Sequence, residues 1–272
     1  MQFASRESLL AARARYEDLI AEASTAALRT LSDDLFAVAG VLGGERTLRR
    51  HLADPATAEE QRRRLADTVF GGKVSDSAME TLHGLVSSRW STGGDLVDVI
   101  ETLARHAALA VAERDNALEE VEDELFRFGR VLTAEPVLRD LLANAARPAD
   151  GRLALLNQVL DGKVNPVTLQ LLEQAVRAPR GRNLDALVER LAQLAAERRG
   201  RSVALVTAAA PLAAAQERRL AEDLSRIYGR AIDVQVELDP QLLGGLVIRV
   251  GDELIDGSVA ARLAAARQQL SG

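Results

Sequence analysis

The sequence predicts a mainly α chain: a duplicated N-terminal helical bundle followed by a small α/β C-terminal domain. Three observations carry this. Residues of the first half recur in the second, without a gap as far as Val86 and Val176. The chain is 47% apolar but only 3% aromatic, so its cores are built from Leu, Val and Ala, which suits close-packed helices. Beyond about residue 200 the apolar period changes from helical to alternating.

The repeat has an offset of 90 residues, as from Leu35 to Leu125. Asp33, Leu35, Phe36, Val41, Leu42, Glu45, Leu48, Arg49 and Leu52 return as Asp123, Leu125, Phe126, Val131, Leu132, Glu135, Leu138, Arg139 and Leu142. The register continues through Arg62 to Arg152, Gly72-Lys73-Val74 to Gly162-Lys163-Val164, and Leu82 to Leu172. After a two-residue deletion around Gly94, the stripe Leu96, Val99, Ile100, Leu103, Ala107 returns as Leu184, Leu187, Val188, Leu191, Ala195. So long a period reads as a duplicated helical module and not as a short solenoid repeat.

In the first module, residues 1–114, helices are expected near 5–22, 26–42, 45–53, 57–70, 76–89 and 95–114. Turn signals separate them at Gly43-Gly44, Asp54-Pro55, Gly71-Gly72 and Gly93-Gly94. The second module, 115–199, has no separate counterpart of the first helix. The 95–114 helix could close the first bundle and open the second; the alternative is a five-helix second bundle. From 200 to 272 the pattern is mixed. Val203, Leu205 and Thr207 suggest a strand, and Leu220, Leu224 and Ile227 an amphipathic helix ended by Gly229. Val234, Val236 and Leu238 form a second alternating strand. Leu246, Ile248 and Val250 alternate with Val247 and Arg249, Gly251-Asp252 marks a hairpin, and Glu253 to Ile255 returns. Ser258 is placed to cap a last helix striped by Val259, Leu263, Ala266 and Leu270.

The string 242–263, LLGGLVIRVGDELIDGSVAARL, resembles the C-terminal signature of the delta subunit family of F-type ATP synthases, whose mitochondrial relative is the oligomycin sensitivity-conferring protein. The matching residues are Gly244, Gly245, Arg249, Gly251, Asp252, Ile255, Asp256, Gly257, Ser258 and Arg262. Upstream, Val206-Thr207-Ala208-Ala209, Pro211-Leu212, Gly229 and Asp239-Pro240 extend the resemblance across about 200–272. It implies a non-catalytic stator subunit that links the catalytic alpha/beta head to a peripheral stalk of b subunits and resists rotor torque. It further implies an N-terminal bundle that takes the amphipathic N-terminal helix of an alpha subunit between its first and fifth helices, and a C-terminal unit that meets the stalk. Residues with the spacing for such a groove are Leu9, Ala12, Tyr16 and Leu19 on the first helix and Met79, Leu82, Val86 and Trp90 on the fifth. The same residues also suit simple packing of the bundle core. The family carries one bundle where this chain has two.

Composition and motifs narrow the function classes. The net charge of −6 argues against non-specific binding to nucleic acid or anionic lipid. The absence of cysteine removes disulfides and thiol chemistry. The longest apolar run, Ala204 to Ala215, is broken by Thr207 and Pro211, and nothing at the N-terminus reads as a signal peptide. Together with the resemblance, this implies a peripheral protein on the cytoplasmic face of the cell membrane, as part of the ATP synthase complex. Gly72-Lys73-Val74 and its copy lack the first glycine and the following Ser or Thr of a phosphate loop, with Asp67 and Asn157 in the glycine position. His51, His83 and His106 have no ligand spacing. The acidic run Glu119, Glu120, Glu122, Asp123, Glu124 and the basic run Arg62, Arg63, Arg64 read as solvated helix faces. No catalytic, cofactor or metal site is expected. The other functional reading is a helical-repeat adaptor or regulator outside the ATP synthase.

Overall fold

A computed structural model describes residues 16–201, 203–228, 232–239, 242, 244–250 and 253–259. The chain forms two compact units, Met1–Leu194 and Ala195–Gly272.

The first unit is helical. Helix α1 is described over 16–22, followed by α2 (Thr25–Gly44), α3 (Arg46–Ala53), α4 (Glu59–Phe70), α5 (Asp76–Ser87) and α6 (Gly93–Arg114). Then come α7 (Leu118–Ala134), α8 (Pro136–Ala143), α9 (Ala149–Leu160), α10 (Pro166–Arg177) and α11 (Leu184–Arg201), whose residues fall in both units. Local chemistry sets the starts. The side chains of Ser24, Ser75 and Thr92 accept the N–H of Ala27, Ala78 and Asp95, and Asn165 accepts that of Val167. Pro136 and Pro166 occupy first-turn positions where a missing N–H costs nothing.

The sequence repeat is a structural one. Helices α3, α4 and α5 return as α8, α9 and α10 at the same offset, and so do their tertiary hydrogen bonds. The carboxylate of Asp34 accepts the Ser75 N–H at 2.7 Å, and that of Glu124 accepts the Asn165 N–H at 3.0 Å and the Thr168 hydroxyl at 2.5 Å. His83 meets Asp67 at 2.6 Å where Asn157 meets Glu173 at 3.0 Å. Arg62 and Arg152 are both 5% exposed. Arg62 donates to the Ser88 carbonyl at 3.1 Å, and Arg152 to the carbonyls of Val176 and Leu142.

Two expectations change here. Arg62 does not lie on a solvated basic face: it donates to the Ser88 carbonyl at the end of α5, and of the run only Arg63 and Arg64 form exposed i,i+4 pairs, with Glu59 and Glu60. Glu124 likewise is not part of a merely solvated acidic face, because it holds the start of α10.

Helix α6 packs against α2, α3 and α5 of the first module and α7 and α10 of the second. From Leu103 to Glu113 every residue but Arg105 is buried, Ala104, Ala107, Ala108, Leu109, Ala110, Val111 and Ala112 among them. The loop shortened by the two-residue deletion returns to the same helix. Arg180 reaches Asp98 and Glu101 of α6 at 3.0 and 3.3 Å, and Arg182 pairs with Asp98 as well.

The second unit contains β1 (Val203–Ala208), α12 (Ala214–Tyr228), β2 (Asp233–Leu238), β3 (Leu246–Val250) and β4 (Glu253–Asp256). The sheet order is β2-β1-β3-β4, with β1 parallel to β2 and the other pairs antiparallel. Its core is Ala204, Val206, Ile248 and Val250, the inward half of the β1 and β3 patterns, with Leu224 of α12 and Ile232 ahead of β2. The proposed last helix lies beyond Val259, outside the described residues.

If the duplicated hydrogen bonds are equivalent in energy as in position, Asp34→Ala and Glu124→Ala each lower the unfolding free energy by about 1.5 to 3 kcal/mol, the usual worth of bonds to a charged acceptor. Urea titration followed by circular dichroism measures both. A loss confined to one variant contradicts the equivalence.

Candidate functional site

The signature residues meet through their backbones. Gly244 and Gly245 have φ of 133° and 82°, in the region that side chains disfavour. The segment after β4 folds back onto them: the Val259 N–H donates to the Gly244 carbonyl and the Gly257 N–H to the Leu246 carbonyl, both at 2.9 Å. A Cβ on Gly245 would sit 2.4 Å from the Gly257 carbonyl oxygen and 2.9 Å from the Ser258 Cα. The glycine pair and the Asp-Gly-Ser turn are thus two halves of one contact.

Asp256 holds its half in shape. Its carboxylate accepts the Ser258 N–H at 2.9 Å. The Ser258 hydroxyl is the larger of two influences that keep this carboxyl below the ordinary aspartate value, the Ser258 N–H the smaller. Ser258 itself is buried at 4%. Ile255 is 38% exposed on the outer strand, opposite Ile248, and Arg249 is exposed. Gly251, Asp252 and Arg262 lie outside the described residues.

A second feature lies in the first module, where a groove of about 520 Å³ runs between α1 and α5. Its walls include Tyr16, Leu19, Thr81, Gly84, Leu85 and Ser88, with Leu103 of α6 among the lining residues. Asp18, Glu22 and Glu80 stand on its rim together with Arg63.

The residues suggested by sequence divide between groove and core. Tyr16 and Leu19 line the groove, and the Tyr16 hydroxyl, on a side chain 3% exposed, donates to the Leu103 carbonyl at 2.8 Å. Leu82, Val86 and Trp90 are 0%, 0% and 4% exposed and belong to the bundle interior, while Met79 is half-buried. The groove wall of α5 is the adjacent face, Thr81, Gly84, Leu85 and Ser88. Leu9 and Ala12 lie outside the described residues. Periodicity missed this wall because small and polar residues on a helix read as solvent-facing.

Elsewhere the chemistry is structural. Gly72 and Gly162, with φ of 69° and 65°, turn the chain after α4 and α9, and Lys73 and Lys163 donate their N–H groups to the Phe70 and Leu160 carbonyls. Among the described residues no group of His, Asp and Glu is placed to hold a metal ion, and no helix is long and apolar enough to cross a membrane.

The family described as ATP synthase delta (OSCP) subunit matches residues 104–270. The ATP synthase subunit delta of Streptomyces griseus subsp. griseus is 44% identical over 272 residues, covering 100% of both chains. The chain belongs to the ATP synthase delta (OSCP) family. The subunit delta of a Parafrankia species is 45% identical over 278 residues and the full length of both. A Mycobacterium relative named ATP synthase subunit b-delta is 46% identical over 270 residues, of which this chain spans 61% of the length. The delta family match begins within α6 and runs through the second module and the C-terminal unit. The first module, with its groove, stands ahead of it.

The glycine contact gives a test. Gly245→Ala costs about 2 kcal/mol or more, because a positive φ and a backbone clash act together; thermal unfolding of the variant reads the loss. For Asp256, a depressed carboxyl adds stability that is complete above the ordinary aspartate range and lost as the pH falls through the depressed value. In an NMR titration Ser258→Ala moves the Asp256 midpoint upward; an unchanged midpoint contradicts the assignment.

Proposed function

We propose that this chain is a non-catalytic stator subunit of an F-type ATP synthase, joining the catalytic head to the peripheral stalk. The observation that carries the reading is the full-length identity to proteins named ATP synthase subunit delta. In a rotary machine the head must be held against the torque of the rotor, and a connector serves this by binding two bodies at separate surfaces. The chain has two compact units for the task.

In this reading the N-terminal helix of an alpha subunit docks between α1 and α5 of the first bundle, residues 1–114. A helix needs a trough with apolar walls and polar edges. Half-buried Leu19 supplies apolar surface above the buried Tyr16 and Leu85, Gly84 leaves room, and Asp18, Glu22 and Glu80 favour an occupant with basic flanks. The duplicated module, 115–199, lengthens the connector. The C-terminal unit, 200–272, meets b-type stalk subunits; the Mycobacterium relative whose name joins b and delta supports that pairing. The chain then lies on the cytoplasmic face of the cell membrane as a peripheral part of the complex, with no active site of its own and no cofactor.

Binding of an alpha N-terminal peptide to the purified chain tests the docking. Leu19→Asp places a charge where an apolar anchor belongs and weakens binding by about 2 kcal/mol or more. Gly84→Trp fills the trough and does the same, and a Cβ there meets nothing within 4 Å, so the helix tolerates it. Leu82→Asp is unsuitable, since a charge at a fully buried position unfolds the bundle. Unchanged affinity in both groove variants with intact helix content contradicts the assignment. Calorimetry with ATP gives no binding heat; a stoichiometric complex overturns the non-catalytic reading.

A further inference from the structure

The two modules are built alike, yet only one of their grooves is open. Carried forward by the repeat offset, α1 corresponds to α6 and α5 to α10. The trough of the second module therefore lies between α6 and α10. Its counterpart positions are closed. Asp18 and Glu22 are exposed and Leu19 is half-buried, whereas the matching Ala108, Leu109 and Ala112 are 0%, 0% and 1% exposed. Half-buried Thr81 becomes Leu171, at 1%.

The covering element is α2. The Ser32 hydroxyl donates to the Ala104 carbonyl of α6 at 3.0 Å. Gln170 of α10, the counterpart of the rim residue Glu80, donates to Ser32 Oγ at 3.2 Å and to Asp33 Oδ1 at 2.7 Å. One helix thus touches both walls. The substitutions fit a seated helix: the exposed acids of α1 become alanines on α6, which permit close approach, and Glu80 becomes a neutral donor facing Asp33.

We propose that α2 is the built-in occupant of the second module's groove, so that duplication leaves the chain with one helix-docking site and not two. The first module fills in cis the place that an external helix takes elsewhere, and offers its own α1–α5 groove instead. The proposal rests on reading that open groove as the docking site for an amphipathic helix with basic flanks.

The chain has no cysteine, so Asp33→Cys with Gln170→Cys provides a unique thiol pair at the solvent edge of the contact. In the full chain a short bis-methanethiosulfonate linker, reversible by reductant, should join the two thiols in high yield. The linked protein should bind one equivalent of alpha N-terminal peptide with an affinity within about twofold of the unlinked form. Gly84→Trp in the same background should weaken binding at least tenfold. Two equivalents bound by the unlinked chain overturn the proposal, as does binding that vanishes on linking and returns on reduction, since α2 must then leave for the partner. Failure to link in the free, folded chain overturns the seating of α2. If the linker forms but no peptide binds in any form, the seating stands and the docking reading of the open groove fails.

Discussion

Everything in the helical unit depends on the shared burial of α6. A helix at the surface of a bundle keeps one polar face, but α6 lies against α2, α3 and α5 on one side and α7 and α10 on the other. Its run of alanines between Ala104 and Ala112 admits neighbours closely on several sides, and Val97, Ile100, Leu103 and Leu109 fill the remaining volume. Each fully buried large aliphatic side chain contributes about 1.5 to 3 kcal/mol. Because the same helix supplies both modules, neither can part from the other without exposing it. The two bundles accordingly fall in one compact unit.

The acidic groups Asp98 and Glu101 of α6 are matched by arginines. Glu101, 6% exposed, is met by Arg105, Arg180 and Arg182, and Asp98 by Arg180 and Arg182. Burial lowers the Arg105 pKa, with Glu101 beside it acting in the opposite direction. Two of these arginines come from the loop that the deletion shortened, which turns through Arg180 and Gly181 at φ of 50° and 74°. For a connector loaded by torque, such a joint transmits force through packed helices and ion pairs, leaving no flexible linker between the modules.

Much of this was written in the sequence. The helix order, the alternating strands and the turn glycines follow from local periodicity, the repeat from residue-by-residue recurrence, and the signature string by itself carries the resemblance to the family. The shared use of α6 was legible only as one of two readings, beside a five-helix second bundle, since a helix buried on all sides and a helix rich in alanine on one surface look similar in one dimension. The choice of face on α5 was not legible. Leu82 and Val86, with Trp90 just beyond the helix, are taken by the core; the groove wall carries Thr81, Gly84 and Ser88 beside Leu85. Arg62 was misread for a related reason: a charged run looks solvated, although its exact return as Arg152 was the sign that the position is structural.

Hydrogen exchange of the chain, free and bound to the catalytic head, tests the account at its centre. The account predicts new protection along α1 and the 80–88 face of α5, with α2 and α10 protected equally in both states because they already cover one another. Protection that appears on α10 and α2 only when the head binds would contradict it.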